Sequence, residues 1–163
     1  MTNNISNQSS ISGLFLQLSN GGTSVFVSVM TLSGSDLAKS QLEIDLITWI
    51  ASQDQSILGL GMVSFDLGEM PWSQSLDEFI HQKEFLNSVI ERVKTLEDLS
   101  LLDYEPPFVL DYMETFQKML NEFEFEFVSQ DEVYWPLKPE KNIKCKKHGV
   151  FKHRKGCVVC NDC

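Results

Sequence analysis

Residues 14–29 read LFLQLSNGGTSVFVSV, and the architecture of the N-terminal half depends on them. Leu14, Leu16 and Leu18 alternate with Phe15 and Gln17, and Val25, Val27 and Val29 alternate in the same way. Successive side chains of a strand point to opposite faces, so apolar residues at every second position mark a half-buried strand. Asn20-Gly21-Gly22 between the two runs supplies the positive-φ residues that tight hairpin turns require. The two runs are therefore expected to pair as a hairpin.

Outward from this point the period changes. From Ser35 to Gln53, Leu37, Leu42, Ile44, Leu46, Ile47, Trp49 and Ile50 recur near helical spacing, and Ser35 is placed to cap the start. Residues 57–67, ILGLGMVSFDL, read as a strand in which Gly59 and Gly61 mark a bulge or a close backbone approach. Ser75-x-x-Glu78 has the form of a capping box. It opens a long helix with Leu76, Phe79, Ile80, Lys83, Leu86, Val89, Ile90 and Val93 on one stripe. The Lys83 stem can lie along that stripe while its ammonium reaches water.

Pro106-Pro107 opens a further helix, with Leu110, Met113, Phe116, Met119 and Leu120 facing inward. Residues 121–128, NEFEFEFV, fit two states. A strand puts Phe123, Phe125 and Phe127 opposite Glu122, Glu124 and Glu126, whereas a helix end aligns Phe116, Leu120, Phe123 and Phe127. The order β-β-α-β-α-α implies an α+β fold, with a small antiparallel sheet, helices packed on one face and a C-terminal zinc-ribbon-like knuckle. The expected division is an acidic α+β domain over 1–128, a linker over 129–142 pinned by Trp135, and a metal-binding tail over 143–163.

The strongest chemical signal is in the tail. All four cysteines fall in the last nineteen residues, as Cys145-x2-His148-x8-Cys157-x2-Cys160-x2-Cys163. Zinc takes four N/S ligands in a tetrahedron, and two pairs at x2 spacing supply them. Cys145, His148, Cys157 and Cys160 are the expected ligands of a structural Zn2+. Cys163 and His153 are spare donors, and either could displace a member of the set, Cys163 for His148 above all. Gly149 and Asn161 each follow the second ligand of a pair, where a knuckle turns through positive φ. Val150-Phe151-Lys152 and the Lys155-Gly156 turn fit a short hairpin between the knuckles. Four protein ligands leave no open coordination position, which argues against catalysis at the metal.

Charge is segregated. Residues 1–140 hold 22 acids and 6 Lys/Arg, a balance of −16, and residues 141–163 hold 7 Lys/Arg and Asp162, a balance of +6; together they give the net −10 of the chain. So negative a body repels phosphates and attracts basic protein surfaces. Eleven Phe and three Trp argue for a packed core. The polar start MTNNISNQSS lacks a basic flank and an apolar run, no stretch has the length of a membrane helix, and clustered thiols suit a reducing compartment. A cytoplasmic location without a membrane partner is expected.

Catalytic patterns are missing. The GxG of GLGMVSF lacks the third glycine of a phosphate loop, and no GxSxG or HExxH occurs. His81 stands alone on its helix. Asp66 and Glu69 are either paired carboxylates or a polar turn. The chain is expected to act by binding and not as an enzyme. The contact candidates are Asp111 and Glu114 together with Glu122, Glu124 and Glu126, facing a basic protein. The competing reading is a nucleic-acid or transcription adaptor, with Lys144, Lys146, Lys147, Lys152, Arg154 and Lys155 around the metal and Phe151 as a stacking ring.

The run WIASQDQSILGLGMVSFDLGEMPW (residues 49–72), followed by KEFLNSVIERV (residues 83–93), resembles small bacterial proteins. In style they are similar to immunity proteins of contact-dependent or polymorphic toxin systems. The resemblance implies a small acidic protein without catalytic motifs that binds the toxic C-terminal domain of a secreted protein, a nuclease among the candidates, and blocks it. It transfers no family site residue.

Overall fold

The computed structural model describes residues 3–8, 12–55 and 61–161. Its regular elements are β1 (Asn3–Ser6), β2 (Leu16–Leu18), α1 (Asn20–Leu37), α2 (Gln41–Ser52), β3 (Phe65–Asp66), α3 (Leu76–Lys94) and α4 (Val109–Glu122). Short 3-10 turns cover Leu67–Glu69, Asp98–Leu101 and Phe125–Phe127. The fold is α+β. The sheet is mixed rather than antiparallel throughout, in the order β2-β1-β3: Ile5 pairs antiparallel with Leu16 and parallel with Phe65.

The expected hairpin over residues 14–29 does not form. Its first arm is β2, but that strand pairs with β1, and everything from Asn20 to Leu37 is helical. Ser19 makes the difference at the start, because its side chain accepts from the Gly22 amide at 3.1 Å and caps α1 where the turn was expected. The valines at period two mislead because α1 is buried on all sides. Every residue from Val25 to Ser35 is buried, so no polar face exists to reveal the helical period. Small residues make this possible. A Cβ on Gly34 would stand 2.2 Å from Ile47 Cδ1, so α2 crosses α1 where no side chain intervenes. Thr31 returns its hydroxyl to the Val27 carbonyl at 2.6 Å, keeping the buried helix polar-satisfied.

The helix expected from Ser35 begins later. Ser35 lies inside α1, and the cap of α2 is Ser40, whose hydroxyl accepts from the Glu43 amide at 3.2 Å while Glu43 returns to the Ser40 amide. The capping box expected at Ser75 and Glu78 is absent. Ser75 precedes α3 without a side-chain cap bond, and Glu78 accepts from the Ser73 hydroxyl at 2.9 Å. Phe79, Leu86, Val89, Ile90 and Val93 form the buried stripe of α3, whereas Leu76 and Ile80 are exposed. The Lys83 ammonium donates to the Phe123 carbonyl at 2.8 Å; partial burial lowers its pKa, opposed by the nearby Glu124 carboxylate.

Of the inward set expected on α4, Met113, Phe116, Met119 and Leu120 are buried and Leu110 is half exposed. Residues 121–128 take neither expected state. α4 ends at Glu122, Phe123 caps it in an extended conformation, and a 3-10 turn follows. Phe123 is fully buried and stacks on Trp72 at 5.4 Å between centroids, an anchor that stops the helix from continuing. Of the expected strand over 57–67, residues 57–60 (Gly59 among them) lie outside the described residues; in the rest, only Phe65–Asp66 forms a strand, β3, and Met62 makes an isolated bridge to Asp54. The close approach expected at Gly61 is present, since a Cβ there would meet Thr23 Oγ1 at 2.2 Å.

The chain after α4 returns along α2. Trp49 Nε1 donates to the Tyr134 carbonyl and Trp135 Nε1 to the Ser52 hydroxyl, both at 2.9 Å. Trp135 thus pins this segment as expected. Val150, Cys157 and Val158 of the tail belong to the same buried cluster as α1 and α2.

Candidate metal centre

Two matching turns position the ligands. The Gly149 amide donates to the Cys145 carbonyl at 2.8 Å, and the Asn161 amide to the Cys157 carbonyl at 2.7 Å. Each turn ends at a residue in the left-handed region, Gly149 at φ 69° and Asn161 at φ 60°. These are the two positions at which the spacing calls for Gly or Asn. Pairing of Cys145 with Val150 and of Lys152 with Ile143 closes the first knuckle, and His153 and Gly156 exchange backbone bonds at 3.1 Å in the connecting turn.

The four donor atoms of Cys145, His148, Cys157 and Cys160 all lie within 4.8 Å of one another. Cys145 Sγ is 3.8 Å from Cys160 Sγ and 3.7 Å from His148 Nδ1, and Cys157 Sγ is 3.7 Å from the same nitrogen. A tetrahedral ion with M–S near 2.3 Å and M–N near 2.1 Å needs donor separations of about 3.5–3.8 Å. The cluster therefore fits a metal ion with four protein ligands, His148 binding through Nδ1. Three of the four residues are buried and Cys160 is half-buried.

The thiols differ in their surroundings. Burial raises the Cys145 pKa, but the His148 and Lys147 amides, the His148 ring and Cys160 more than offset it, leaving the thiol at about 6. Burial pushes Cys157 up to about 12, with the neighbouring thiols adding to the rise against the amides of Cys160 and Val159. A cation at the centre would remove this conflict by taking all three as thiolates.

His153 is not part of the cluster. Its Nδ1 accepts from the Lys155 amide at 2.9 Å, which leaves Nε2 to carry the proton toward Asp54 Oδ2 at 3.4 Å. Cys163 lies outside the described residues. Two residues that hold the centre against the body carry no motif. The Ser35 hydroxyl accepts from the Phe151 amide and the Ser35 carbonyl from Lys144 Nζ, both at 3.0 Å, and Asp54 faces His153. Ser35 resembles a helix cap in sequence, and Asp54 has no signal at all.

Of the acidic contact candidates, Asp111, Glu114 and Glu122 follow one face of α4, Glu122 standing about 16 Å from Asp111 and about 12 Å from Glu114 at 1.5 Å per residue. Asp111, Glu124 and Glu126 are exposed. Glu114 pairs with Lys118 at 3.0 Å, and Glu122 accepts from the Ser12 hydroxyl. His81 faces Glu43 at 3.5 Å. Asp66 and Glu69 form a polar turn, in which Glu69 accepts from the Asp66 amide and Asp66 from the Gly68 amide. Phe151 is buried beneath Lys144 Nζ, 5.0 Å from its centroid, and offers no open stacking face.

No protein-family model matches the chain, no curated protein is similar to it, and no solved structure matches its fold.

Proposed function

We propose that this protein is an immunity-type inhibitor. Its acidic body binds and neutralises a basic toxin domain, and Cys145, His148, Cys157 and Cys160 hold a structural Zn2+ that fixes the tail to that body. The observation that carries the reading is the state of the body's few cations, since four of the five Lys/Arg in residues 1–128 are engaged. Lys83 is bonded to a backbone carbonyl, Arg92 is shared among Asp36, Glu97 and Asp98, Lys94 is bonded to Glu91 and Gln117, and Lys118 is paired with Glu114. The remaining carboxylates present a field of one sign, which accelerates encounter with a basic partner such as an enzyme built to hold phosphates. A Cys3His tetrahedron favours zinc among biological cations, and its closed coordination suits a structural role.

The test is affinity capture from the native host with the tagged, metal-loaded chain at moderate salt, followed by mass spectrometry. The expected result is the basic C-terminal fragment of one large secreted protein, whose nuclease activity the chain suppresses. Recovery of nucleic acid or transcription machinery instead would move the function to the exposed cations of the tail, Lys146, Lys147, Arg154 and Lys155. Native mass spectrometry of the same preparation should show one zinc per chain.

A further inference from the structure

Between the end of α3 and the start of α4 lies an open groove of about 740 Å³. Leu99, Leu102 and Val109 form its nearly buried floor. Leu96, Tyr104, Phe108 and Leu110 stand around it with about half or more of their surface in water, Phe108 at 68 %. Two of these four have left-handed backbone, Leu96 at φ 64° and Phe108 at φ 59°. A bulky side chain pays for that conformation, and such strain persists at sites where the surrounding structure imposes it. A cluster of exposed aromatic and aliphatic side chains over a formed depression is the anatomy of an interface anchor site.

The rim identifies the occupant. Glu105 and Asp111 line the groove and Asp103 lies between its walls in sequence. All three are exposed, and none has an ion-pair partner among the described residues. The two cations close by in sequence are already held, Arg92 by Asp36, Glu97 and Asp98 and Lys94 by Glu91 and Gln117. A second copy placed face to face would set these carboxylates against themselves, and an anionic membrane or a nucleic acid would meet the same repulsion. We infer that this groove is the docking site for a cationic amphipathic segment of a partner protein. Its apolar residues cover Phe108 and Leu110, and its Lys or Arg residues meet Glu105 and Asp111. The inference rests on the inhibitor reading for the partner's charge, and it places the contact at residues 96–111 instead of at Glu122, Glu124 and Glu126.

The probe is a fluorescein-labelled Leu/Lys amphipathic helical peptide, with a Leu/Glu peptide of the same pattern as control, titrated by anisotropy into the metal-loaded full chain. Saturable binding of the Leu/Lys peptide is expected, weakening with salt. Phe108→Asn should reduce it about ten-fold or more. Asn tolerates positive φ better than Phe, so this variant keeps the fold and a melting curve verifies it. Glu105→Gln with Asp111→Asn should cost a similar factor, and the triple change Glu122→Gln, Glu124→Gln and Glu126→Gln should cost none. Equal binding by Phe108→Asn and the unchanged chain, binding of the Leu/Glu peptide, or a loss confined to the triple variant would each overturn the groove. The capture experiment separates the two ideas: a basic partner held undiminished by Phe108→Asn keeps the inhibitor and removes the groove.

Discussion

The metal tail and helix α1 meet at Ser35, yet they are held by different physics. Four donor atoms of the tail converge on one point, and the surrounding backbone is set by two repeated turns with positive-φ residues at their ends. No single point determines α1. Residues packed around its whole circumference hold it, and with Gly34 it lets α2 come close. Ligand convergence is written in a few residues at fixed spacing, whereas enclosure requires the rest of the molecule. The tail adds one feature of the second kind: Val150, Cys157 and Val158 also close the core over α1 and α2, so an ion held by the four donors would hold down part of the body.

That coupling can be broken most severely by removing the metal. Spacing alone assigns the ion to a small separate tail, so chelation would unfold the tail and spare the body. Shared burial predicts otherwise. Chelation or Cys157→Ser should destabilise the whole chain by several kcal/mol, because metal-binding energy is folding energy in a site of this size. Calorimetry should show one transition moving down by 10 °C or more, at about 2–4 °C per kcal/mol for a chain of this length. A body transition indifferent to chelator would separate the two regions again.

A smaller effect is expected where α1 meets α2. Gly34→Val puts methyl groups into the space of Ile47, which is fully buried and has no solvent to move into. Overpacking of this kind costs about 1–3 kcal/mol. Adding Ile47→Ala to Gly34→Val should recover part of the loss, so that a double-mutant cycle shows coupling. Additive losses would mean that the two helices do not touch there.

The smallest effect distinguishes two identical spacings. Ser40-x-x-Glu43 and Ser75-x-x-Glu78 read alike, but only the first closes both bonds. Ser40→Ala should therefore cost about 1 kcal/mol and Ser75→Ala close to none in denaturant melts. Equal costs would remove the distinction.

Those two motifs also show why some of the fold was legible and some was not. A capping box is a statement about two side chains and two amides, and the sequence supplies both candidates equally. The competing donor to Glu78, the Ser73 hydroxyl, comes from how the Met70-Pro71-Trp72 segment enters α3. Most of the α3 stripe and most of the α4 stripe could be read because each helix keeps a wet face, so burial and period largely coincide. Leu110 broke the pattern because it borders an open groove instead of the core. Phe123 was ambiguous by period and was fixed by Trp72, a partner some fifty residues away.

From the sequence by itself came the four Cys and His residues whose donor atoms cluster, the turns that present them, the segregation of charge and the two helices with one polar face. Each follows from residues close in the chain, whose geometry depends on covalent spacing and local backbone preference. Only the tertiary structure decided that residues 20–37 form a helix, that the sheet is mixed, that His153 turns to Asp54 and away from the cluster, and that the apolar groove lies open beneath Phe108. Those outcomes depend on what surrounds a segment, and burial on every side removes the periodic signal by which a segment announces its own state.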